Sequence, residues 1–158
     1  ARFVPEPPKT AGLAGTGQQG TPPPGGHIVL VGHGRVGSMV ASELCAKGER
    51  MVVVETEGDL PGLAAIDDAR VVVGNAVEPA ILEEASITEA RMLLVAIPGT
   101  FEAGHIVEQA RRLNPALRIV ARAHSEDEMA YLAKCGADLT IMGEREIARG
   151  MIVQTQKA

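Results

Sequence analysis

The sequence predicts an α/β fold: a doubly wound, all-parallel sheet of six strands with helices on both faces. Three observations predict it. Six short runs rich in β-branched residues begin at 28, 51, 71, 92, 118 and 138, at intervals of 23, 20, 21, 26 and 20 residues. The runs are continuous rather than alternating, which is how strands buried on both faces read. Each gap holds a helix-like segment, and parallel strands need a crossover of about a dozen residues or more.

Taken in order, the strand runs are His27 to Val31, Met51 to Val54, Val71 to Val73, Met92 to Ile97, Arg118 to Ala121 and Asp138 to Met142. The helical segments include Val36 to Lys47, Ala80 to Ala85, Glu102 to Leu113 and Ser125 to Cys135. Asp59-Leu60-Pro61 reads as a further helix start. Asn114-Pro115 closes the helix before the fifth strand. Ser125 and Glu128 have capping-box spacing, and Gly136 is placed as a left-handed helix stop. Ahead of the first strand, residues 1–26 hold six of the ten prolines and six of the eighteen glycines. They read as a semi-extended linker, with a disordered tag as the other reading. The remainder, 27–158, is read as one nucleotide-binding domain.

Composition narrows the function. The 158 residues amount to about one domain. They are 46% hydrophobic and 22% charged, enough for a core. Aromatic content of 2% disfavours a base-stacking surface, and a net charge of −5 gives no basic footprint for duplex nucleic acid. The longest apolar run, Met92 to Ile97, is far short of the roughly 20 residues of a membrane helix. Two cysteines, Cys45 and Cys135, build no disulfide framework and suit a reducing compartment. A start at Ala1 rather than Met suggests a piece of a longer protein.

The chemistry gathers at Gly32-His33-Gly34-Arg35-Val36-Gly37, which follows the first strand and opens a helix. In this Rossmann-like context the first glycine allows a tight turn and the second lets backbone approach a phosphate. The third lets helix and strand pack closely, and the helix N-terminus favours the anion. His33 is expected to point outward. Glu55 lies eighteen residues after Gly37, at the end of the second strand. A carboxylate there can accept from ribose hydroxyls and would repel a 2′-phosphate, so NADP is disfavoured against NAD or a plain adenine nucleotide. Gly74-Asn75-Ala76 and Ile97-Pro98-Gly99-Thr100 follow the third and fourth strands and border the same crevice. Asn75 can face an adenine edge or simply serve a turn. The four histidines have no metal-ligand spacing. Glu144, Arg145, Glu146 and Arg149 open the last helix as a solvated face or an interface; Ile147 and Met151 share a face that fits either core or a dimer seam.

Residues 27–152 resemble the TrkA-N domain, also called RCK or KTN, and within it the cytosolic domain of Kef-type, YbaL-like cation:proton antiporters. The segments that carry the resemblance are Gly32 to Ser38, Gly74-Asn75-Ala76, Ala121-Arg122-Ala123-His124, Gly136-Ala137-Asp138 and Met142 to Ala148. The resemblance implies side-by-side homodimers, a bound AMP, ATP or NAD(H), and control of a membrane antiporter rather than catalysis. It implies the cytoplasmic domain of a bacterial inner-membrane protein, with the membrane domain on the same longer chain. Carried over by position, the nucleotide would touch Gly32, His33, Gly34, Arg35, Val36, Glu55, Asn75, Ala76 and Ile97. Many members have Asp where this chain has Asn75. Glutathione control, known for some Kef systems, is not implied. The rival expectation is an NAD-dependent oxidoreductase, whole or fragment; a peripheral subunit of a potassium channel is a third. The rival is disfavoured because hydride transfer needs a positioned substrate and an acid or base beside the nicotinamide. The chain has no Tyr-x-x-x-Lys pair.

Overall fold

In the computed structural model, residues 25–56 and 69–157 are described. They form six strands: β1 (Ile28–Val31), β2 (Met51–Glu55), β3 (Arg70–Val73), β4 (Met92–Val95), β5 (Arg118–Ala123) and β6 (Leu139–Met142). The α-helices among them are α1 (Arg35–Ala46), α2 (Pro79–Glu84), α3 (Thr100–Leu113), α4 (Glu126–Cys135) and α5 (Gly143–Thr155). All strand pairs are parallel, in the order β3-β2-β1-β4-β5-β6, the Rossmann order. The order reverses beside β1, which places a crevice at the carboxyl ends of β1 and β4. Most of the linker and the helix start at Asp59 lie outside the described residues.

The core has two parts, one on each side of the sheet. On one side Val29, Val52, Leu93, Ile119 and Ala121 pack with Leu82, Ile106, Val107 and Leu132 of α2, α3 and α4. On the other, Leu30, Met51 and Val53 pack with Val40, Ala41 and Leu44 of α1. Burying each large side chain contributes about 1.5–3 kcal/mol. Gly104 permits the contact between α3 and α4, since a β-carbon there would meet the ring of Tyr131.

Expected burial on both faces holds for β1 and β2 and fails for β5 and β6. In β5, Ile119, Ala121 and Ala123 are buried while Arg118 is exposed and Val120 and Arg122 are half-buried. β6 has no buried residue. The fourth strand is also shorter than its run: it ends at Val95, and Ala96, whose amide still donates to Val31 O at 2.9 Å, leads into the crevice loop.

Helix ends follow the sequence signals with one change. Ser125 Oγ accepts from the Glu128 amide at 3.1 Å. The return bond goes one residue further back than a capping box, from the His124 amide to Glu128 Oε2 at 2.6 Å. That bond, and after it the Thr100 hydroxyl, hold the Glu128 carboxyl below the usual range. At the other end of the sheet, Arg111 donates to the carbonyls of Leu117 and Gly136 and to Asp138 Oδ2 at 2.9 Å. Asp138 also accepts from the Ile119 amide at 2.7 Å, and that bond first, then Arg111, lowers its pKa.

Candidate functional site

The glycine turn is built as its residue types require. Gly32 sits at φ +96°, a conformation side chains rarely adopt, and its amide donates to Val54 O at 3.0 Å. A β-carbon on Gly32 would lie 2.9 Å from Ile97 Cγ2, so the β1 exit and the β4 exit touch here. A β-carbon on Gly37 would overlap the Gly32 carbonyl, so α1 can approach the turn only with glycine at that position. Gly34 differs from both. It stands at the N-cap of α1 in extended conformation, with nothing within 4 Å of an added β-carbon. It carries no side-chain cap bond, so the first amides of α1 face the open space beside Gly34 with no side-chain cap there. An anion at that position would meet unsatisfied N–H groups and the positive end of the helix dipole.

Glu55 closes the turn from the side. Its Oε2 accepts from the His33 amide at 2.6 Å, and its Oε1 accepts from the Thr56 amide at 2.7 Å and the Thr56 hydroxyl at 3.1 Å. The carboxylate therefore holds the β1–α1 loop against the end of β2 while remaining half-exposed. Each carboxylate oxygen has further lone-pair capacity, so hydroxyl donors can add to this arrangement. Thr56 is a partner that sequence reasoning missed; a Thr directly after the acid was the available signal.

The other expected residues divide. Arg35 and Val36 are exposed in the first turn of α1, on the rim of the open space. Ile97 is half-buried and forms the wall opposite Gly32. Asn75 serves a turn: its Oδ1 accepts from the Val77 amide at 3.0 Å, which leaves its amide group to donate. The Gly74 amide donates to Glu55 O at 2.9 Å, so this loop is tied to the end of β2. Ala76 is only 4% exposed and belongs to the core on the α2–α4 side. His33 corrects the outward expectation: it is 5% exposed, because the bond from its amide to Glu55 draws the loop in over the sheet end.

The described residues that meet at the crevice are thus the three glycines, His33, Arg35, Val36, Glu55, Asn75 and Ile97. Together they leave open space at a helix N-terminus with a carboxylate beside it, chemistry that suits an anion and hydroxyl donors. Among the described residues no helix is long and apolar enough to cross a membrane.

Comparison with known proteins agrees with this architecture. The profile of the TrkA-N domain matches residues 28–143. Over 126 residues the chain is 44% identical to the putative cation/proton antiporter YbaL of Escherichia coli; the match covers 80% of this chain and 23% of that protein, so the chain spans about a quarter of it. The crystal structure of the TrkA-N domain of the E. coli inner membrane protein ybaL superposes with a TM-score of 0.77 at 42% identity, covering 82% of this chain and 96% of that one. The C-terminal domain of a Shewanella denitrificans Kef protein, solved with AMP bound, superposes at 0.70 and 26% identity, covering 83% of this chain and 79% of that one. The chain belongs to the TrkA-N domain family.

Proposed function

We propose that this chain is the regulatory adenine-nucleotide-binding domain of a membrane cation:proton antiporter, acting as a homodimer on the cytoplasmic side of a bacterial inner membrane. The observation that carries the reading is the open position at Gly34, with uncapped helix amides on one side and the Glu55 carboxylate on the other. Support comes from the AMP bound to the Kef domain and from the antiporter of which the chain resembles about a quarter. AMP or NAD(H) is the ligand; a 2′-phosphate would meet Glu55 and be repelled. The phosphate sits over the first turn of α1, and the ribose hydroxyls donate to Glu55. The role is linkage rather than catalysis. A nucleotide that binds one conformation of the assembly more tightly shifts the population toward it, by no more than its differential affinity.

Calorimetric titration with AMP, NADH and 2′,3′-dideoxy-AMP tests this on the wild type and Glu55→Ala. The wild type is expected to bind AMP and to lose at least severalfold affinity for the dideoxy form. Glu55→Ala should bind AMP severalfold more weakly and no longer distinguish the two. Equal AMP affinity in both proteins would remove the ribose role of Glu55, and absence of binding to any of the three would remove the nucleotide reading.

A further inference from the structure

Two of the three bonds that hold Glu55 come from the main chain. The His33 amide donates to Oε2 at 2.6 Å and the Thr56 amide to Oε1 at 2.7 Å. The path of the backbone aims both donors, and no side-chain torsion can turn them away. The third bond is different. The Thr56 hydroxyl donates to Oε1 at 3.1 Å, the longest of the three, and one rotation about χ1 removes it. Thr56 is exposed, so a hydroxyl that leaves the carboxylate is taken up by water.

The two carboxylate oxygens are therefore unequal: Oε2 carries one donor and Oε1 carries two. A ribose presents two adjacent hydroxyls, the same kind of donor as Thr56 Oγ1. The hydroxyl that goes to Oε2 joins a single amide. The hydroxyl that goes to Oε1 arrives as a third donor, and the donor there that can yield is the Thr56 side chain. A hydroxyl of the chain itself thus stands where a ligand hydroxyl would bond. The strand does not require that hydroxyl. β2 runs through Val52, Val53 and Val54 before Glu55, and valine shares the β-branched shape of threonine. Either residue at position 56 would keep the backbone donation to Oε1.

We propose that Thr56 sets the strength of ribose recognition: its hydroxyl competes with one ribose hydroxyl for Glu55 Oε1 and is displaced when the nucleotide binds. This rests on the nucleotide reading above and adds a residue that tunes it. A site that is competent only while the Thr56 hydroxyl is turned away has its apparent affinity reduced by that competent fraction. The competition weakens a ligand that brings ribose hydroxyls. It leaves a ligand without them untouched, because such a ligand displaces nothing.

Calorimetric titration of the 158-residue chain with AMP and 2′,3′-dideoxy-AMP tests it. The proteins are the wild type, Thr56→Val, Thr56→Ser, Glu55→Ala, and Thr56→Val combined with Glu55→Ala. Circular dichroism checks that each is folded. Thr56→Val is expected to bind AMP about three- to tenfold more tightly, the net worth of one hydrogen bond. It should bind the dideoxy form as the wild type does. Thr56→Ser keeps the hydroxyl and should match the wild type with both ligands. Once Glu55 is Ala, adding Thr56→Val should change neither affinity. A Thr56→Val variant that binds AMP equally or more weakly would overturn the competition. An equal gain for AMP and the dideoxy form would also overturn it, since the effect would not pass through the ribose hydroxyls. Equal AMP affinity in the wild type and Glu55→Ala would instead remove the ribose role of Glu55. Absence of AMP binding to the wild type would remove the nucleotide reading, and either result takes the role of Thr56 with it.

Discussion

Strands β1 and β2 are buried at every residue but Glu55, whereas β4 and β5 alternate between buried and half-exposed and β6 has no buried residue. The two halves of one sheet thus solve different problems. The first is packed on both sides, by α1 on one and by the α2–α4 layer on the other, and it holds the glycine turn still. A turn that must present amides to a phosphate needs that rigidity. The second half is packed on one side and leaves much of the other exposed. The glycine turn and the open face therefore meet along α1, whose Val36 borders both.

The comparison breaks most readily on core substitutions. Leu30 is fully buried between β1 and α1, and Leu30→Ala should cost about 2–5 kcal/mol in denaturant unfolding, independent of protein concentration. Ile141→Ala on the open face, where Ile141 is 42% exposed, should cost less than about 1 kcal/mol. Equal, concentration-independent losses at both positions would mean that the second half is as fully packed as the first. The smallest effect concerns the rivet at the far end of the sheet. The Asp138 carboxyl has a lowered pKa in the folded chain, so its contribution is present above the unfolded carboxylate range and is lost as pH falls through the folded value. The stability gap between the wild type and Asp138→Asn should therefore shrink on acidification. A gap that widens instead would reverse the sign of this account.

Much of the ordered half was legible in the sequence because its signals are local. Gly32 to Gly37 fixes a turn by backbone sterics within six residues, and a run such as Met51 to Val54 reads the same wherever it packs. Glu55 was legible because strand length fixes its distance from the turn. Its bond to the His33 amide, and the burial of His33 that follows, were not, since they depend on how β1 and β2 register. The open half was harder. Arg118, Val120 and Arg122 alternate with Ile119, Ala121 and Ala123, and that period of two marks a strand with one solvated face. The apolar character of Ile119-Val120-Ala121 hides it. Arg111 and Asp138 lie 27 residues apart in sequence, and no short pattern joins them.

The measurement that tests the central claim most directly is calorimetric titration of AMP into the wild type and Gly34→Val. Gly34 is already extended and nothing stands within 4 Å of the added β-carbon, so the variant should fold with unchanged circular dichroism and unfolding midpoint. The new side chain would occupy the phosphate position, and AMP binding should be lost. Binding retained in the folded variant would contradict a phosphate held at the first turn of α1.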